Sequence, residues 1–310
     1  MGADMSFNCD NCKIVLWGHK TIANTFHYIN VAYERTFKHL GFNVSWMDDN
    51  DDVSNFDFSN SIFFTEGQVD GKIPLREDCF YILHNCYDQK YNFLYDKNRC
   101  ARMQTYTDDA LKYNLTKLED CIYADYEGKC IYFPWATDLL PYEIENNKPS
   151  KSFNSDSRII NWVGTIGGEK FGNIDQITPF KKACEKQGIT FSHAMAGKST
   201  EENIDLIKTS YMAPTIVGKW QHEVGYIPCR IFKNISYGQM GITNSPRIYE
   251  LFQHKVIHNN DTYWLFYDAK NYMEKMPLSE LHSLMDFVKD KHTYINRINT
   301  VMGFIDHLLR

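Results

Sequence analysis

Short apolar runs alternate with longer stretches of helical spacing along this chain, and that alternation sets the expected architecture. KIVLWG, residues 13–18, is compact, apolar and closed by glycine. From about residue 21 to 40, Phe26, Ile29, Val31, Tyr33, Phe37 and Leu40 recur at helical spacing, and Gly41 ends the run. FNVSWMD, SIFFTEG and CFYILHN follow, each a strand-like run of aromatic and branched residues bounded by polar turn residues. Strand, helix, strand is the rhythm of a parallel sheet.

CIYAD and CIYFPWATD continue the series, after which residues 141–157, PYEIENNKPSKSFNSDS, lose all apolar period and fill with Asn, Ser, Lys and Pro, as a linker does. RIINWVGTIGG restarts the pattern. ITPFKKACEKQG reads as a helix closed by Gly188, ITFSHAMAG as a strand, residues 201–209 as a helix, MAPTIVG as a strand and residues 279–309 as one long helical tail. The expected organisation is an N-terminal α/β domain at 1–142, a linker at 143–157 and a C-terminal α/β domain at 158–310. The terminal helix is free to pack back on the N-terminal domain.

With 310 residues, 43% of them hydrophobic, the chain can fill two such cores. The net charge of −6, with no dense Lys/Arg run, argues against a nucleic-acid partner. No apolar run approaches about 20 residues, so no membrane span is expected. Nine scattered cysteines and no signal peptide predict free thiols and a cytoplasmic location, which leaves the sequons at Asn43, Asn114, Asn234 and Asn260 without weight. Cys9 and Cys12 form a CxxC with no second ligand pair at metal spacing, so no zinc site is expected.

Open parallel sheets bind ligands at the carboxyl ends of their strands. That rule selects Gly18-His19-Lys20, Thr65-Glu66-Gly67-Gln68 and His84-Asn85 in the first half. In the second it selects Gly164-Thr165, His193, Gln221-His222 and Asn244-Ser245. The dinucleotide fingerprint GxGxxG, the phosphate loop GxxxxGK[ST] and the serine elbow GxSxG are all missing. The stretch CRIFKNISYGQMGITNSPRIYELF is more informative: Ile231, Phe232 and Ile235 make an apolar helical face, and Gly238 is a helix stop. Residues 240–243 make a short buried strand, and Ser245-Pro246 caps the next helix. Arg230, opening the first helix, and the Ser245 helix start read together as a place for an anion.

That order of an arginine opening a helix, a terminating glycine, a short strand and a new helix resembles the C-terminal donor domain of GT-B glycosyltransferases. The similarity is to the "glycosyl transferases group 1" type with a CgeB-like C-terminal region, which also tends to end on a His-Thr-Tyr and Arg pattern. Here that pattern is His292-Thr293-Tyr294 and Arg297. The resemblance covers residues 158–309 and is architectural before them. It implies two Rossmann-like parallel-sheet α/β domains facing a cleft, and transfer of a sugar from a nucleotide diphosphate sugar (UDP- or GDP-sugar) to a glycan or glycoprotein hydroxyl. No cofactor is implied, and no metal, because basic residues and helix dipoles neutralise the leaving diphosphate. The protein would be a monomer or weak dimer. Donor contacts are expected at Gly164, Thr165, His222, Arg230, Lys233, Asn244, Ser245 and Tyr249. Lys233 stands where many of these enzymes carry a ribose-holding glutamate, which leaves the donor's identity open. If the reaction inverts the anomeric centre, its base is expected among Glu66, His19 and His84, in that order.

Each of these residues also has a plain structural reading, as a salt bridge, cap or core histidine. The acidic run at residues 48–52 contains a DxD, a metal-ligand pattern, but such runs are more often solvated loops. Two rival functions remain open: a nucleotide-sugar epimerase of the same architecture, and a two-domain protein that closes on a small ligand without chemistry.

Overall fold

A computed structural model describes residues 11–21, 25–86, 88–105, 115–194 and 199–310. By internal contact the chain divides into two units. One comprises residues 1–105, 110–133 and 294–310; the other comprises 106–109 and 134–293. The main crossing falls between Phe133 and Pro134, ahead of the polar stretch at 143–157.

The first unit is built on one eight-stranded sheet in the order β2-β1-β3-β4-β5-β8-β7-β6. The strands are β1 (Lys13–Trp17), β2 (Val44–Met47), β3 (Ser61–Thr65), β4 (Phe80–His84), β5 (Cys100–Gln104), β6 (Thr116–Glu119), β7 (Ile122–Asp125) and β8 (Cys130–Tyr132). β1 to β5 and β8 pair in parallel, and β7 runs antiparallel to its neighbours β6 and β8. Every residue of β3 and β4 is buried, as a central parallel strand covered on both faces requires. Helix α1 (Thr25–His39) turns Ile29, Ala32, Tyr33 and Phe37 inward, and α2 (Asn92–Asp96) links β4 to β5.

The second unit opens with α3 (Pro141–Asn146), which lies within the stretch read as a linker. It continues β9 (Ile159–Val163), α4 (Ile174–Lys186), β10 (Thr190–Ala194), α5 (Thr200–Lys208), β11 (Pro214–Thr215) and α6 (Lys219–Glu223). Then come α7 (Cys229–Ser236), β12 (Ile242–Thr243), α8 (Pro246–Leu251), β13 (Ile257–His258), α9 (Thr262–Met273) and α10 (Leu278–Lys291). β10 pairs β9, and β11, β12 and β13 pair in turn, all parallel. Tyr211 N donates to Ile159 O at 2.7 Å, joining the segment that leads into β11 to β9. The second unit thus has a two-stranded sheet, β10-β9, and a three-stranded sheet, β11-β12-β13, which that hydrogen bond sets side by side in the order 2-1-3-4-5 of the first unit, the order of a doubly wound sheet.

The expected single tail is two helices. α10 ends at Lys291, His292 leaves helical geometry at φ −132°, Thr293 forms an isolated parallel bridge with Thr137, and α11 (Tyr294–Leu309) belongs to the first unit. Periodicity could not show this break, because both sides of it are apolar at helical spacing. No helix among the described residues is long and apolar enough to cross a membrane. No disulfide joins the described cysteines; Cys9, half of the CxxC, lies outside them.

Close backbone crossings sit where β9 and β11 end. A side chain on Gly218 would overlap the carbonyl of Gly172, and one on Gly172 would overlap that of Gly167. Gly218→Ala is expected to destabilise the protein by about 1–3 kcal/mol, the usual range for overpacking against rigid backbone. Urea unfolding would check this, and an unchanged midpoint would contradict it.

Candidate functional site

Doubly wound sheets collect ligands at the carboxyl ends of the strands on either side of the order reversal, here β1 and β3 in the first unit and β9 and β11 in the second. The sequence places chemistry at both points.

In the first unit β1 runs into Gly18 (φ +131°) and His19 (φ +43°), while β3 ends at Thr65-Glu66. His19 Nδ1 and the Glu66 carboxylate are hydrogen-bonded, and both side chains are buried. Gly18 is needed for that contact: a Cβ there would lie inside the Glu66 carboxylate, and the backbone is in the left-handed region that glycine favours. Asn30 and Trp46 donate to Gly18 O at 3.1 and 2.8 Å, and His27 Nδ1 meets His19 O at 3.0 Å, so the loop is held on three sides. Phe26 stacks on His19 at 5.7 Å and meets His84 edge-on at 5.8 Å. The three residues expected to supply a base thus form one cluster.

Burial raises the Glu66 carboxyl above the ordinary glutamate range, against the pull of the His19 hydrogen bond. Glu66 is consequently the partner that orients His19; no hydrogen bond to His19 Nε2 forms among the described residues. Burial pushes His84 down to about 3, so it is a neutral imidazole at physiological pH.

The acidic run is consumed by its own loop. Asp49 accepts from Trp17 Nε1, Gly71 N and Lys72 N at 3.1, 2.8 and 3.0 Å, Asp48 accepts from Asn50 N, and Asp51 pairs with Lys20 at 2.9 Å. Among the described residues no group of three or more His, Cys, Asp or Glu gathers as a metal site would require.

In the second unit Arg230 lies in the first turn of α7, half-buried. Its guanidinium sits 3.8 Å above the Trp162 ring, and Nη2 donates to Val163 O at 2.9 Å. A Cβ on Gly164 (φ +111°) would come within 2.6 Å of Nη2, so glycine leaves the room the arginine uses. No carboxylate pairs with Arg230 among the described residues, and α7 carries no acidic residue in its first turn. Burial lowers its pKa to about 10, which still leaves it charged. A half-buried cation at the positive end of a helix, with no carboxylate partner among the described residues, is an unfavourable arrangement that a bound anion would relieve.

The helix is closed as expected. Gly238 (φ +90°) donates to Ile235 O and Gln239 N to Asn234 O, the two bonds of a Schellman cap. Thr165 is exposed beside Gly164. Lys233 lies over the Tyr237 ring at 5.7 Å, and Tyr237 in turn donates to Asp138 at 2.7 Å. Ser245 caps α8, accepting from Ile248 N. Asn244 is fully buried, with Oδ1 and Nδ2 both bonded to the Val217 backbone, at 2.9 and 3.0 Å. Its side chain therefore fixes the β11 and β12 ends instead of reaching a ligand. Tyr249 is stacked between His254 and His258, and His222, lowered by burial and by the nearby charge of His258, stands next to that group. His193 bonds back to Gly164 O at 2.7 Å.

Trp162, Phe26, Asn30 and Trp46 complete these sites but were not selected from sequence. The signal for Asn30 is a polar residue on the buried face of an amphipathic helix; Trp162 stands two residues before Gly164.

No family model and no curated protein matches the chain. Among solved structures it is similar to the N-terminal domain of trehalose-6-phosphate phosphatase from Candida albicans, with a TM-score of 0.50 and 8% identity over 96% of this chain and 97% of that one. At that identity the likeness shows a shared α/β fold.

A buried histidine held neutral weakens folding in acid. The His84 pKa in the folded state lies below its unfolded value of about 6.5, so its contribution is complete above that pH and is lost as pH falls toward 3. His84→Gln should flatten the decline in unfolding free energy over this window by up to about 1.4 kcal/mol per pH unit. Parallel slopes for the two proteins in urea titrations at pH 7, 6, 5 and 4 would refute the assignment.

Proposed function

We propose that the chain is a GT-B-type glycosyltransferase, moving a sugar from a nucleotide diphosphate sugar to an acceptor hydroxyl. The observation that carries this reading is Arg230: a guanidinium stacked on Trp162 at the carboxyl end of β9, charged, half-buried and without a carboxylate among the described residues. A diphosphate would supply the missing counterion, and the guanidinium would stabilise the charge that grows on it as the bond to the anomeric carbon breaks. Gly164 allows the phosphates to approach the backbone closely, and Lys233, one helical turn from Arg230, adds a second cation on the same helix.

The His19–Glu66 pair supports an inverting reaction. Nε2 of His19 would take the proton of the acceptor hydroxyl while its oxygen attacks the anomeric carbon, and Glu66 would hold the ring and stabilise the imidazolium. The diphosphate leaves with the electron pair of the broken C–O bond. His84, neutral, and Phe26 would fix the ring plane of His19.

Arg230→Met should weaken binding of a nucleoside diphosphate at least tenfold in calorimetry, equally with and without EDTA. Unchanged affinity would remove the reading. His19→Asn and Glu66→Gln should each lower kcat by about 10²–10⁴, the usual worth of a general base, with donor KM little changed. Donor conversion with no acceptor present would point instead to an epimerase, and donor binding without any turnover to a ligand-binding protein.

A further inference from the structure

One cavity in the first unit lies against α2 and the turn between β7 and β8. It has a volume of about 480 Å³ and is lined by Asn92, Tyr95, Asp96, Arg102 and Gly128, a size that admits a sugar unit or two. Asn92, Tyr95 and Asp96 are spaced i, i+3, i+4 on α2 and so share one face of that helix. Arg102 stands in the middle of β5, and Gly128 is in the turn between β7 and β8.

Gly128 N donates to Asp125 Oδ1 at 2.8 Å, and a Cβ on Gly128 would collide with that carboxylate, so glycine is the residue that fits. The next residue, Lys129, donates to Tyr95 O and ties the turn to α2. Arg102 is half-buried, and its guanidinium has no hydrogen bond or ion pair among the described residues. The ionisable groups it acts on are Tyr95, Tyr132, Cys100 and Cys130, all of which burial holds in their neutral forms. Asp96, exposed at the rim, is the acid of the lining.

We infer that this cavity binds an anionic carbohydrate, a hexose unit bearing a carboxylate or a phosphate. An uncompensated guanidinium takes the anion, preferably as a two-pronged contact with carboxylate or phosphate oxygens. Asn92 and Asp96, side by side on one helix face, offer the mixed donor and acceptor set that vicinal hydroxyls require. Tyr95 contributes an aromatic edge against the apolar face of the ring. The inference is independent of the glycosyltransferase reading, which uses none of these residues.

The test is calorimetric titration of the full chain with glucuronate, glucose 6-phosphate and glucose. The charged sugars should bind saturably, at least tenfold more tightly than glucose, and whichever of the two is tighter names the anion. Arg102→Met should abolish that preference, and Asp96→Ala, an exposed change that leaves folding intact, should weaken both charged sugars at least threefold. Arg230→Met should leave all three unchanged. Absence of saturable binding by the charged sugars, equal affinity for glucose, or retention of the preference in Arg102→Met would overturn the inference. Should Arg102→Met fail to fold, unaltered binding in Asp96→Ala would overturn it as well.

Discussion

Parallel pairing on both sides of the first strand is the constraint from which the chemistry of each unit follows. Because β1 pairs with β2 on one edge and β3 on the other, the loops leaving β1 and β3 rise beside each other at the carboxyl end of the sheet. Gly18-His19 is thereby set against Glu66, residues 47 positions apart in the chain. β9, held between β10 and the segment at Ser210-Tyr211, repeats the arrangement in the second unit, where Gly164 and Arg230 meet.

Glycine is what makes each meeting tolerable. At Gly18 and Gly164 the backbone adopts a left-handed conformation and a neighbouring functional side chain occupies the space a Cβ would need. Both positions follow a strand directly, and both give up side-chain packing to admit a charged group. The arginine and the carboxylate that fill those spaces are themselves costly to bury. The first is relieved only in part, by Trp162 and one carbonyl; the second shares its proton chemistry with His19.

The two sites differ in how completely they are satisfied. Around His19, Asn30, Trp46, His27 and Phe26 leave a single ring nitrogen outside the network. Around Arg230 the positive charge has no anionic partner among the described residues. The first unit thus holds an oriented imidazole and the second a half-buried cation, and these are the two features on which the proposed function rests.

The sequence alone determined the α/β class, most strands of the first unit and the helix-stop-strand-cap order from Arg230 to Ser245. Those features are local: apolar runs of five, helical spacing, a glycine at a C-cap and Ser-Pro at an N-terminus each have a short-range physical cause. It also marked His19, Glu66 and His84, because strand ends are visible in the pattern. Only the tertiary structure shows what those residues touch. Asn244 reads as a ligand residue by position, yet both its polar atoms close on Val217, 27 residues away. Glu66 reads as the base, yet it is buried against Gly18 and bonded to His19. The split of the last helix at His292-Thr293 is equally non-local, set by a bridge to Thr137 across more than half the chain. Periodicity records which face of an element is apolar; it carries no information on which distant backbone or carboxylate that face will meet, because those contacts form only when the chain is folded.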